Sequence, residues 1–155
     1  MRTIFTTILL LGVSAFAFSQ KKYKQVSQRL LSADSICIID YTRYDSTMNI
    51  RKVIKEGALD SIATNTKHML SLKARKELSA ILIKENDFAG RYASQRGFHP
   101  KLAILLWEKA RYCYLELCLS CHDIYASPDF GFEWLVIDPI KADDLEVFFR
   151  KQKRL

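Results

Sequence analysis

"KLAILLWEKARYCYLELCLS", residues 101–120, decides the fold, because it can be threaded two ways. As one helix, Leu102, Leu105, Leu106, Cys113 and Leu117 share a stripe that Lys109 interrupts. As a hairpin, Leu102, Ile104 and Leu106 line one face of a first strand, and Glu108-Lys109-Ala110-Arg111 makes the turn. Cys113, Leu115 and Leu117 then face the same core from a second strand. Alternation at period two, with a Trp, two Tyr and the Tyr-Leu-Glu-Leu run, favours strands. The turn lacks the Asn-Gly pair that two-residue hairpins prefer, which counts against them.

Outward from this segment the chain reads as one α+β domain. "SICIIDYTRY" (35–44), rich in β-branched and aromatic residues, predicts a strand, as do "RKVIKE" (51–56) before Gly57 and "FGFEWLVI" (130–137). Residues 58–70, "ALDSIATNTKHML", fit helix or strand. Leu72 to Glu85 predicts a central helix, with Ser71 as N-cap and Ala74, Leu78, Ile81, Leu82 and Glu85 on one stripe. Lys73, Arg75 and Lys76 cover its outer face. Asp138-Pro139 opens a C-terminal helix whose expected buried stripe is Ile140, Leu145, Phe148 and Phe149. Asp143 and Asp144 early, and Arg150 and Lys151 late, suit its dipole. Residues 23–32 set Tyr23, Val26 and Leu30 on one helical face, a weaker signal. The expected architecture is a small, mostly antiparallel sheet with a central and a C-terminal helix.

The N-terminal stretch has the pattern of an export signal. Arg2 precedes an apolar run from Ile4 to Val13, and Ala15-Phe16-Ala17 or Ala17-Phe18-Ser19 supplies small residues for cleavage. The run is shorter than the roughly 20 residues a membrane-spanning helix needs. The expected organisation is a signal peptide over 1–19, cleaved after Ser19, and a single domain over 20–155 in the periplasm or outside the cell. The chain is 49% hydrophobic, which argues against disorder. Net charge is +7, or +6 once Arg2 leaves with the signal. Export makes nucleic acid a poor partner for that charge. The basic ends, Lys21, Lys22 and Lys24 and then Arg150, Lys151, Lys153 and Arg154, read as solvated, with weak attraction to an anionic envelope surface as the lesser use. The expected partner is a protein or another envelope component.

Four cysteines, Cys37, Cys113, Cys118 and Cys121, carry most of the chemistry the sequence offers. Cys118-Leu119-Ser120-Cys121-His122 is the C-x-x-C-H string on which haem c is attached. In that reading the thiols form thioethers and His122 ligates iron; His68, His99, Met48 or Met69 would supply the sixth ligand. The string lies late, it closes the second expected strand of the hairpin, and no Met follows it. Zinc is a second reading, with Cys118 and Cys121 at knuckle spacing and His122, His99 or Cys113 as further ligands, but a second spaced pair is missing. Thioredoxin-like redox chemistry is a third, and it lacks a following helix in a βαβ unit. A structural disulfide in an oxidising compartment is preferred, with Cys118–Cys121 closing a short loop and Cys37–Cys113 stapling strand to hairpin. Odd spacing puts Cys113 and Cys118 on opposite strand faces, which argues against both pointing inward.

Other sets are weaker. His68 and His99 read as surface or loop histidines, and Trp107, Trp134, Phe130 and Phe132 as core. Asp143-Asp144 suits a helix start better than acid–base catalysis. No Ser/His/Asp arrangement, phosphate loop or H-E-x-x-H occurs, so no catalytic residue and no cofactor is assigned, covalent haem c being the alternative.

"HPKLAILLWEKARYCYLELCLSC", with "ADSICIIDY" and "LSLKARKELSAIL" before it in order, resembles a family of small exported bacterial proteins of unknown function. The resemblance spans roughly residues 33–150 and implies the hairpin, its second strand closing on C-x-x-C. It also implies that His122 is incidental, since His often does not follow the second Cys in that family. This chain departs further in lacking a Cys in the loop before Pro100. The resemblance brings no activity with it. The functional expectation is a non-enzymatic binding or structural module stabilised by disulfides.

Overall fold

A computed structural model describes residues 20–40, 54–55, 58–59, 67–84, 98–109 and 111–152. The expected signal peptide, the 41–44 end of the first expected strand, Met48, all but 54–55 of the strand expected over 51–56, and most of the segment 86–100 lie outside the described residues. Segment 101–120 is a hairpin. Strand β5 (Leu102–Glu108) pairs antiparallel with β6 (Arg111–Cys118), with Ile104 opposite Leu115 and Glu108 opposite Arg111. Lys109 supplies the positive φ, 45°, that the tight turn demands without an Asn-Gly pair.

The hairpin is the middle of a six-stranded antiparallel sheet in the order β4-β1-β5-β6-β7-β8, where β1 is Ser35–Asp40, β4 Lys67–Met69, β7 Asp123–Ala126 and β8 Trp134–Val136. β2 (Ile54–Lys55) and β3 (Ala58–Leu59) form a separate two-stranded ribbon. Residues 58–70, ambiguous in sequence, are thus strand at both described ends.

Three helices among the described residues pack on one face of the sheet. Helix α1 runs over 20–32, α2 is Leu72–Ile83 and α3 is Pro139–Gln152. α1 adds a helix to the two expected, and the three apolar residues that hinted at it, Tyr23, Val26 and Leu30, are all buried. They meet Leu78 and Leu82 of α2, Leu145, Phe148 and Phe149 of α3, and the sheet residues Ile36, Ile104, Leu106, Cys113, Leu115 and Leu117 in one core. Ser71 caps α2 as expected, its hydroxyl accepting from the Ala74 amide at 3.2 Å. Arg75, expected on the outer face, reaches back to the carbonyls of Leu70 and Ala33.

α3 departs from the expected stripe. Ile140 is 55% exposed, and Lys141 beside it is buried at 2%. The Lys141 ammonium donates to the carbonyls of Leu82 at 2.7 Å and Lys84 at 2.9 Å, and lies 4.1 Å from the Tyr23 ring centroid. The last turn of α2 has no basic residue of its own, so α3 supplies the cation that its unpaired carbonyls and dipole favour. Burial pushes the Lys141 pKa below the usual amine value, against the opposing charge of Asp138. Asp138 also caps α3, accepting from the Lys141 amide at 2.8 Å. Asp143 and Asp144 lie beyond the first turn, and Asp144 instead pairs with Lys84 at 2.9 Å.

β8 is an edge strand, yet α1 guards it. Lys22 donates to the Trp134 carbonyl at 2.9 Å and Tyr23 to that of Val136 at 2.7 Å, so two outward acceptors are already taken. Burial first, and Asp138 second, push the Tyr23 phenol well above its ordinary pKa, which keeps it a donor. Tyr23→Phe is expected to lower stability by about 1 kcal/mol by losing this bond. Urea unfolding of the two proteins measures the difference. Trp134, expected in the core, is 41% exposed on the strand's other side, where it stacks edge-on with Tyr125 and Phe98. Phe130 does enter the core, and Phe132 packs against it.

Candidate functional site

The four cysteines separate into one bonded pair and two free thiols. β6 ends at Cys118, and a 3-10 turn, Leu119–Cys121, brings Cys121 back so that the two sulfurs form a disulfide across a Cα–Cα distance of 5.2 Å. His122 ends the turn in the left-handed region, φ 60°, with its amide on the Leu119 carbonyl and its carbonyl on the Ile137 amide. That backbone conformation aims the chain into β7. The residue after the second Cys therefore has a structural task, whatever its imidazole does.

The expected Cys37–Cys113 staple does not form, and both thiols are free. Register explains why. Cys37 stands opposite Leu105, whereas Cys113 stands opposite Leu106. Neighbouring residues on a strand point to opposite faces, so the two thiols lie on opposite sides of the sheet. Cys113 faces the helices. Cys37 faces the other side, where burial pushes its pKa up to about 11 against the pull of Lys67. That side is also buried at Ile39, Ala103, Leu105, Glu116 and Cys118. Hence Cys113 at 1% and Cys118 at 2% exposure are both interior despite opposite facing, contrary to the argument from odd spacing.

Cys113 belongs to a polar cluster under the hairpin turn. The Arg29 guanidinium donates to Glu108, to Cys113 Sγ at 2.9 Å and to the Asp129 carbonyl at 2.9 Å, and covers the Phe130 ring at 4.1 Å. Burial raises the Cys113 pKa and Arg29 only partly opposes it, which does not make an activated thiolate. Glu108 is held below its ordinary 4.5, first by the hydrogen bond from Arg29. A carboxyl whose folded pKa is depressed stabilises the fold above its unfolded value, and that contribution fades as pH falls through the folded one. Glu108→Gln is therefore expected to cost about 1 kcal/mol at pH 7. The difference from the parent should shrink towards zero as denaturation is repeated below pH 4.5.

The most promising binding geometry lies beside the disulfide. A cleft of about 330 Å³ opens between the Cys118–His122 turn and α3. Its floor is apolar, with Leu102, Leu117, Ala142 and Phe149 all buried. Its rim carries His99, Lys101 and His122 on the sheet side and Asp143, Glu146 and Arg150 on α3. Arg150 is bound to Glu146. Three residues from the sequence shortlist, His99, Cys118 and His122, thus meet at one place, while Cys37, Cys113, His68 and Met69 do not join them. Sequence reasoning missed Lys101, Asp143 and Glu146 as cleft residues. Asp143 and Glu146, three apart on α3, were the detectable signal, since that spacing shares a helix face. No group of three or more His, Cys, Asp and Glu among the described residues is arranged to hold a metal ion. Nor is any described helix long and apolar enough to cross a membrane.

No protein-family model, curated protein or solved structure matches the chain.

Proposed function

We propose that the protein is an exported, non-enzymatic binding module, periplasmic or secreted, whose disulfide braces one wall of a small ligand cleft. The carrying observation is the cleft itself. An apolar floor lies under a rim of charged groups, and its volume is at the lower end of the ~300–1,000 Å³ usual for ligand pockets. The Cys118–Cys121 bond supports the reading, because four of the lining residues, Cys118, Leu119, Ser120 and His122, belong to the turn it closes or adjoin it. Pre-organised walls raise affinity by reducing what must be ordered on binding. Export rests on the N-terminal pattern, and mass spectrometry of protein recovered from the envelope should find a chain starting at Gln20. Reproducible substrate turnover, abolished in Cys118→Ser or Cys121→Ser, would overturn the non-enzymatic reading.

Covalent haem c is the rival, favoured by one observation: His99 and His122 both line the cleft with Cys118. Attachment would require an external two-electron reductant to open the disulfide to two thiols, whose S–H groups would then add across the vinyl groups. Expression together with haem-attachment machinery separates the two. A colourless product supports the binding module, and a Soret band lost in His122→Ala supports the haem protein.

A further inference from the structure

We propose that the cleft takes a small zwitterion with an apolar side chain, of the free amino acid type. This deepens the binding reading and rests on it. The rim is balanced in charge: Lys101 faces the cleft from the strand side, and Asp143 from α3. Neither side chain has a hydrogen-bond or ion-pair partner among the described residues. Glu146 and Arg150 already neutralise each other, so these two are the charges left to recognise a ligand. A simple carboxylate would pair with Lys101 but meet Asp143 as a like charge. A simple amine would pair with Asp143 but meet Lys101. A ligand carrying both groups complements both walls, and complementarity of this kind selects among ligands. Between the walls, Leu102, Leu117 and Phe149 offer an apolar floor to a hydrocarbon side chain. The imidazole of His99, also without a partner among the described residues, stands on the Lys101 side, where it can share the carboxylate.

The test is an amide-resolved NMR titration of the oxidised protein with three probes of one shape: L-leucine, 4-methylpentanoate, which lacks the ammonium, and 3-methylbutylamine, which lacks the carboxylate. Leucine is expected to shift the amides of Lys101, Leu117–His122 and Ala142–Arg150, and to bind about tenfold more tightly than either analogue. Lys101→Ala should bring leucine down to the level of the amine, and Asp143→Asn to that of the carboxylate. Both positions are exposed, so both variants are expected to fold. An analogue that binds this cleft as well as leucine does overturns the ligand class and leaves the cleft reading standing. Leucine binding that both variants retain in full also overturns it. Absence of any cleft shift with all three probes removes the ligand class and the cleft reading together.

Discussion

Lys141→Ala is expected to lower the unfolding free energy by about 3 kcal/mol. The ammonium is the partner of two carbonyls at the end of α2, and the Leu82 carbonyl is buried where water does not replace it. A buried acceptor left unpaired costs about 1–3 kcal/mol, and a hydrogen bond from a charged donor is worth about 1.5–3 kcal/mol. Its contact with the Tyr23 ring adds to the loss. Opposing this, removing the ammonium relieves the desolvation that depresses its pKa. The two carbonyls decide the sign, because the helix end cannot satisfy them from its own last turn. Lys141→Met keeps the stem and should lose about 1 kcal/mol less than the alanine variant. Denaturant unfolding of all three proteins measures this. Parity between Lys141→Met and the parent would mean that water caps α2 instead.

The paired substitution Cys118→Ser, Cys121→Ser is expected to cost about 2 kcal/mol, the value that loop-closure entropy gives for a four-residue ring. A short ring restrains the unfolded chain modestly, so the effect should be visible without abolishing folding. Its position makes it diagnostic. Reductant should lower the denaturation midpoint of the parent by the same amount and leave the paired variant unmoved. Cys37→Ser and Cys113→Ser, singly, should leave the parent's sensitivity to reductant intact, since both thiols are free. Equal sensitivity in the paired variant would place a disulfide elsewhere.

Much of the sheet was legible because strands advertise themselves by alternation. Leu102, Ile104 and Leu106 against Cys113, Leu115 and Leu117 is the core face of the hairpin, and the pattern survives a turn without the usual residues. Caps were legible too, Ser71 and Asp138 both serving as their sequence positions suggest. What escaped depends on tertiary partners. A lysine inside an apolar stripe reads as solvated until another helix end supplies its acceptors, so Lys141 and Ile140 exchanged roles. Disulfide pairing needs register, and a displacement of one residue across β5 puts Cys37 and Cys113 on opposite faces. The cleft needs residues from the strand approach, the turn and α3 at once, and no local pattern joins His99 or Lys101 to Asp143.

Cys118 and Cys121 are bonded to each other at the wall of this cleft, while Cys37 and Cys113 remain thiols. A non-reducing peptide map of the isolated protein, alkylated in denaturant before digestion, tests this arrangement. The expected result is a Cys118–Cys121 link, alkyl groups on Cys37 and Cys113, and no further mass on any of the four. A Cys37–Cys113 link, or the mass of haem on the peptide carrying Cys118 and Cys121, would contradict it.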